Sequence, residues 1–184
     1  LGWALRPSVE KKKEGFSYKT NADGLRANRD YAKTVASSQI RIALFGDSFI
    51  HGDEVPFEET LGVYLESAFS GNAEVLNFGV SGYGDDQAVL MYEKKGKTYH
   101  PQIVILGFLT EHIARNVNRF RKFYIQELEN PFFSKPRFIL KEQGLLLIDP
   151  ITYTPNTSAK WIRENAIEKL GEQDYFFNPS FYEN

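Results

Sequence analysis

The sequence predicts an α/β domain built on a parallel, doubly wound sheet. Three apolar runs carry that reading: Ile40–Phe45, Val75–Val80 and Ile103–Leu109. Each contains or meets a glycine at its end, and the first two are followed by a segment of helical period. Short β-branched runs closed by glycine read as buried strands, and a β-α-β-α-β order argues parallel pairing with crossover helices.

Residues 1–39 read as an irregular N-terminal arm packed on the domain, and residues 40–184 as the α/β domain, one domain overall. Pro7, Gly15, Asn21-Ala22-Asp23-Gly24 and Ser37-Ser38 punctuate the arm, with a short strand at Phe16–Thr20 and a turn at Asp23-Gly24. Lys11-Lys12-Lys13 is read as a solvated loop. After the strand at 40–45, Leu61, Tyr64, Leu65, Ala68 and Phe69 recur at helical spacing, which predicts a helix over Phe57–Phe69. Pro56 suits its start, and Ser70-Gly71-Asn72 ends it.

A second helix is expected over Asp85–Lys95, with Asp85 as its cap and Gly96 as its stop. His112–Phe120 is expected to begin a third. Beyond residue 121 the pattern changes to a hairpin, Phe138–Leu140 and Leu145–Ile148 about Gly144, then a helix over Ala159–Leu170. The aromatic tail, Tyr175-Phe176-Phe177 and Phe181-Tyr182, is aperiodic.

Composition excludes several functions. With 184 residues and 42% hydrophobic content the chain has enough apolar material for one core. Its 22 basic and 24 acidic residues give a net charge of −2, which supplies no electrostatic case for nucleic acid. No apolar run approaches the ~20 residues a membrane span requires. There is no Cys, so no disulfide, thiolate metal site or cysteine nucleophile is expected, and three His without helical pairing imply no metal. No cofactor is implied. The chain begins with Leu1, compatible with a removed leader and an extracytoplasmic location. Asn156-Thr157-Ser158 fits a glycosylation triplet that is common by chance.

The chemistry is expected at Gly46-Asp47-Ser48, which ends the first strand of the sheet. Loops at the carboxyl ends of strands form the ligand crevice in such sheets. Three blocks together resemble the SGNH hydrolases, the GDSL-type lipases and esterases: Gly46-Asp47-Ser48, then Asn77-Phe78-Gly79-Val80-Ser81-Gly82-Tyr83-Gly84-Asp85-Asp86-Gln87, then Pro101–Gly107. The lead-in Thr20–Arg26 is also similar to bacterial members, and the likeness covers roughly residues 16–125. It implies a three-layer α/β/α sandwich with a mostly parallel sheet, flavodoxin-like in its layering. It further implies an ester hydrolase or acyl-ester transferase acting on a small or carbohydrate ester. In that reading Ser48 is the nucleophile, and the N–H groups of Ser48 and Gly82 hold the oxyanion.

The chain departs from the family at two places. The family's third block supplies an Asn as an oxyanion donor, where this chain has Glu111 or His112. Ionised Glu only accepts hydrogen bonds, whereas His can donate, so His112 is the better candidate; otherwise it caps a helix or faces solvent. Asn116 is the fallback if the helix begins later. Asp47, Glu111 and Asn116 are candidate substrate-binding residues. The family's last block, Asp-x-x-His, has no counterpart: His occurs only at positions 51, 100 and 112, and Asp149 and Asp174 have no His downstream. His51 is close enough to Ser48 to face the crevice, but so near a neighbour rarely has the geometry of a base. His100 is expected on the surface.

Two accounts of the missing block compete: it lies beyond Asn184, or the site has diverged. The three-strand sheet and the abrupt Phe181–Asn184 end favour the first. An inert domain binding a glycan or protein is the alternative to the esterase. A flavodoxin-like nucleotide binder is disfavoured because no phosphate-loop pattern is present.

Overall fold

The computed structural model describes residues 1–13, 15–34, 39–125, 134–151 and 167–181. The expected Ser37-Ser38 break, the triplet at 156–158, Tyr182 and most of the helix expected at 159–170 lie outside the described residues. The chain forms two compact units, Ala4–Leu109 and Leu1–Trp3 with Thr110–Asn184.

The first unit is mixed α/β around a three-stranded parallel sheet. Strand β3 (Ile40–Phe45) lies in the centre, flanked by β4 (Ala73–Asn77) and β5 (Ile103–Leu106). Alternation along β3 sends Ile42 and Leu44 one way and Ala43 and Phe45 the other. Ile42, Leu44, Ala73 and Val75 form an apolar cluster with Ile50, and Leu65 of helix α2 (Leu61–Ala68) packs on it. On the other side Phe45 stacks on Phe78 at 4.8 Å and meets the edge of Tyr92, which belongs to helix α3 (Asp85–Lys94). Such aromatic pairs add specificity to the area they bury. Edge strand β5 leaves Ile103, Val104 and Leu106 exposed.

Arg41, the one charge in the apolar run, is fully buried yet paired. Its guanidinium bonds the Glu74 carboxylate and donates to the carbonyls of Lys33 and Tyr99. Buried cations persist only with such partners.

Three local expectations are corrected. The N-terminal arm is more regular than expected: Lys11-Lys12-Lys13 is not a loop but part of strand β1 (Glu10–Lys13), antiparallel to β2 (Phe16–Lys19). Cross-strand pairing and Lys11 over the Tyr18 ring offset its polar composition. The helix expected over 57–69 splits into a 3₁₀ turn, Phe57–Glu59, and α2, because Thr60 is extended (φ −75°, ψ 152°). The cap of α3 is Gly84, not Asp85, and the Gln87 side chain accepts from the Gly84 N–H. The Asn21-Ala22-Asp23-Gly24 turn stands as expected, built on Asn21, whose Oδ1 accepts from the N–H groups of Asp23 (3.0 Å) and Leu25 (2.9 Å).

The second unit carries helices α4 (Glu111–Asn116) and α5 (Arg121–Tyr124) and the hairpin β6 (Arg137–Lys141) and β7 (Gly144–Ile148), which turns before Gly144 as expected. Of the last helix, α6 (Ile167–Gly171) is described. Phe120, Phe123 and Leu170 form its core. Asp174 organises this unit: one carboxylate oxygen accepts from Asn118 Nδ2 (2.9 Å) and the N–H groups of Arg119 and Phe120, the other from the Phe176 N–H (2.9 Å). Burial holds its carboxyl above the usual range, and the backbone donors oppose that shift. Asp174→Asn, which turns an NH₂ toward one set of donors, is expected to lower stability by about 2 kcal/mol, read as the shift of a urea unfolding midpoint at unchanged slope.

Candidate active site

The Ser48 site is built from glycines and one short helix. Helix α1 (Ser48–His51) begins immediately after β3; the Asp47 carboxylate caps it by accepting the Phe49 N–H at 3.0 Å, and Gly52, in the left-handed conformation, closes it. Asp47 is only 2% exposed, and its carboxylate bonds the backbone of this turn.

The loops leaving all three strands close on α1. A Cβ on Gly46 would lie 2.6 Å from Ile50 Cγ1, and one on Gly107 would lie 2.5 Å from the same atom. A Cβ on Gly79 would meet the backbone: 2.5 Å from His51 N and 2.9 Å from the Ile50 carbonyl carbon. Asn77 pins the same contact, donating from Nδ2 to the Ile50 carbonyl (2.7 Å) and accepting from the Gly79 N–H (2.9 Å). Val80 N–H donates to the Gly46 carbonyl, which ties the second loop to the first. Gly82 is third in the turn closed by Tyr83 N–H to the Val80 carbonyl, with φ +75°, a position that favours glycine.

His51 is buried, 1% exposed, and is turned to the protein interior rather than to the crevice. Its Nδ1 donates to the Gly79 carbonyl (2.9 Å), which leaves Nε2 to accept from the Tyr18 hydroxyl (3.1 Å) in the neutral ring. Asp53 Oδ1 lies 3.3 Å from Nε2, and the other Asp53 oxygen accepts the Ser81 hydroxyl. Arg26 lies over the Tyr18 ring at 4.4 Å and donates to the Val55 carbonyl. Both imidazole nitrogens are therefore committed away from Ser48, and His51 serves to lock α1 to the Gly79 loop and to β2.

Burial holds the His51 pKa below its ordinary 6.5, and Asp53 opposes that shift. Unfolded chain takes up a proton near pH 6.5 that the folded ring resists, so this stabilisation is full above that pH and lost as pH falls below it. Thermal midpoints measured from pH 7.5 to 5 are expected to fall more steeply for the protein than for His51→Gln; parallel slopes would contradict the buried neutral ring.

Ser48 itself is half-buried, and among the described residues its hydroxyl makes no hydrogen bond to protein. It borders a cavity of about 450 Å³ lined also by Phe49, Gly52, Val55, Thr60 and Leu61 and by the carboxyl residues Asp53, Glu54 and Glu59. That volume lies in the range of small-molecule sites.

The remaining candidates lie in the other compact unit. Glu111 begins α4 and pairs with Arg115 four residues on, at 2.9 Å. His112 neither caps a helix nor faces solvent; it is buried. Asn116 is the last residue of α4. His100 is on the surface as expected. Nothing local in the sequence assigns a role to Tyr18, Asp53, Asn77 or Ser81. The available signal was Asn77 itself, a polar residue ending a buried strand, which must find partners.

Among the described residues no group of three or more His, Cys, Asp or Glu is placed to hold a metal ion, and no helix is long and apolar enough to cross a membrane. No family model matches this chain. No curated protein matches it significantly.

Proposed function

We propose that this protein is a serine ester hydrolase, or acyl-ester transferase, of the SGNH type, with the three-layer α/β/α arrangement of that family. The observation that carries the reading is the position of Ser48. It follows the central strand of the sheet directly, borders a cavity of ligand size, and keeps its hydroxyl free of hydrogen bonds among the described residues. Packing of α2 and α3 against opposite faces of β3 and its neighbours supports the layering.

The Ser48 oxygen attacks the acyl carbonyl, and its proton leaves with the alcohol. The N–H groups of Ser48 and Gly82 hold the oxyanion. Water, or an acceptor hydroxyl in the transferase reaction, then releases the acyl group and restores the serine. An O-acetylated carbohydrate is the substrate class that the resemblance favours.

One observation favours a second reading, an inert domain that binds a glycan or a protein. His51 lies three residues from the candidate nucleophile, yet its ring is engaged by Gly79 and Tyr18, and a serine without a base is a weak nucleophile. Covalent labelling by a fluorophosphonate separates the two. Intact-mass analysis showing one adduct, mapped to Ser48 and lost in Ser48→Ala, supports the hydrolase; an unlabelled, folded protein supports the inert domain.

A further inference from the structure

We propose that the cavity beside Ser48 selects esters whose alcohol part carries a positive charge, such as an amino alcohol or a free amino sugar. The proposal deepens the esterase reading and rests on it for the identity of the reacting bond; the preference for cations is a property of the cavity alone.

The charge of the lining is one-sided. Asp53, Glu54 and Glu59 border the cavity, and no Lys or Arg side chain is among its lining residues. The three carboxylates are not equivalent. Asp53 accepts the Ser81 hydroxyl and lies 3.3 Å from His51 Nε2, with Arg26 near enough to interact electrostatically. Lys13 donates to the Asp53 carbonyl and is not among the lining residues. Glu54 and Glu59 are exposed, and they set the field that an entering ligand meets.

The apolar part of the wall points the same way. Phe49, next to Ser48 in sequence, is 77% exposed, and Leu61 is 43% exposed. An aromatic face beside carboxylates is the chemistry that holds ammonium groups: the ring quadrupole attracts the cation, and its methyl or methylene shell packs on apolar carbon. An anionic leaving group would meet repulsion from Glu54 and Glu59 with no cation in the wall to offset it.

The test separates binding from turnover. Benzyltrimethylammonium and benzoate are titrated calorimetrically into the protein at low ionic strength. The cation is expected to bind about tenfold more tightly than the anion, with the preference shrinking as salt rises. In Glu54→Gln/Glu59→Gln, two exposed and isosteric changes, the ratio is expected to fall to about twofold, and Phe49→Leu is expected to weaken the cation about threefold. Equal binding of the two probes, or a preference unchanged in the double variant, overturns the proposal.

Turnover is followed in parallel with acetylthiocholine and S-acetylthioglycolate, both of which release a thiol. The protein has no Cys, so a thiol reagent reads product alone. Faster release from the choline ester, narrowed in the double variant, supports the proposal. No release above the Ser48→Ala background, with cation binding intact, removes the esterase reading and leaves the charge selectivity standing.

Discussion

Ser48→Ala is expected to lower kcat/KM for p-nitrophenyl acetate by about a thousandfold or more, leaving only the acceleration that binding and the oxyanion donors supply. The same substitution is expected to leave stability within about 0.5 kcal/mol. The first half rests on the esterase proposal; the second follows from the geometry. The hydroxyl makes no hydrogen bond to protein among the described residues, so its removal orphans no donor or acceptor. The turn that carries it is held by other groups: the Asp47 cap, the Gly52 close and the His51 and Asn77 bonds. Equal turnover by the two proteins would remove Ser48 from the chemistry. A large loss of stability would instead mean that the residue is structural. Steady-state kinetics and a denaturation curve on the same two preparations distinguish these results.

Gly79→Ala is expected to cost about 3 kcal/mol or more, and to abolish whatever activity Ser48 supports. The added methyl would sit 2.5 Å from His51 N and 2.9 Å from the Ile50 carbonyl carbon. These are backbone atoms, so no side-chain rotation relieves the contact; the loop or α1 must move. Movement in either direction breaks the Nδ1 bond from His51 to the Gly79 carbonyl and the Asn77 clasp. Gly107→Ala is the useful comparison, because the atoms its methyl would crowd belong to the Ile50 side chain, and the Phe45 carbonyl lies at an ordinary 3.6 Å. The measurement is the denaturant midpoint of each variant, with Gly79→Ala the lower of the two.

The parallel sheet was legible because its strands are apolar runs that meet glycines. The hairpin at β6 and β7 was legible for a related reason: two apolar runs bracket Gly144. Helix α1 was not, since four residues carry no period, and what makes them helical is a cap on one side and a left-handed glycine on the other. Strand β1 was hidden behind three lysines, whose pairing with Phe16–Tyr18 shows only in the register. The burial of His51 was hidden for a different reason. Its partners, Tyr18 and Gly79, are 33 and 28 residues away in sequence, and no local pattern announces them. Ser48 and Gly82 stood out by motif. Asn77 stood within the same motif, but its work as a clasp depends on the Ile50 carbonyl, which only the fold brings near.

The three glycines that close on α1 also bear on what a sequence signature records. Gly46, Gly79 and Gly107 mark the ends of the three strands, and each is required by the thickness of one short helix rather than by any step of acyl transfer. A chain with any other residue at position 48 would still be held to these glycines by the need to fit Ile50 and His51. The glycines therefore report the fit of a backbone, and what the Ser48 hydroxyl does is a separate property of the protein.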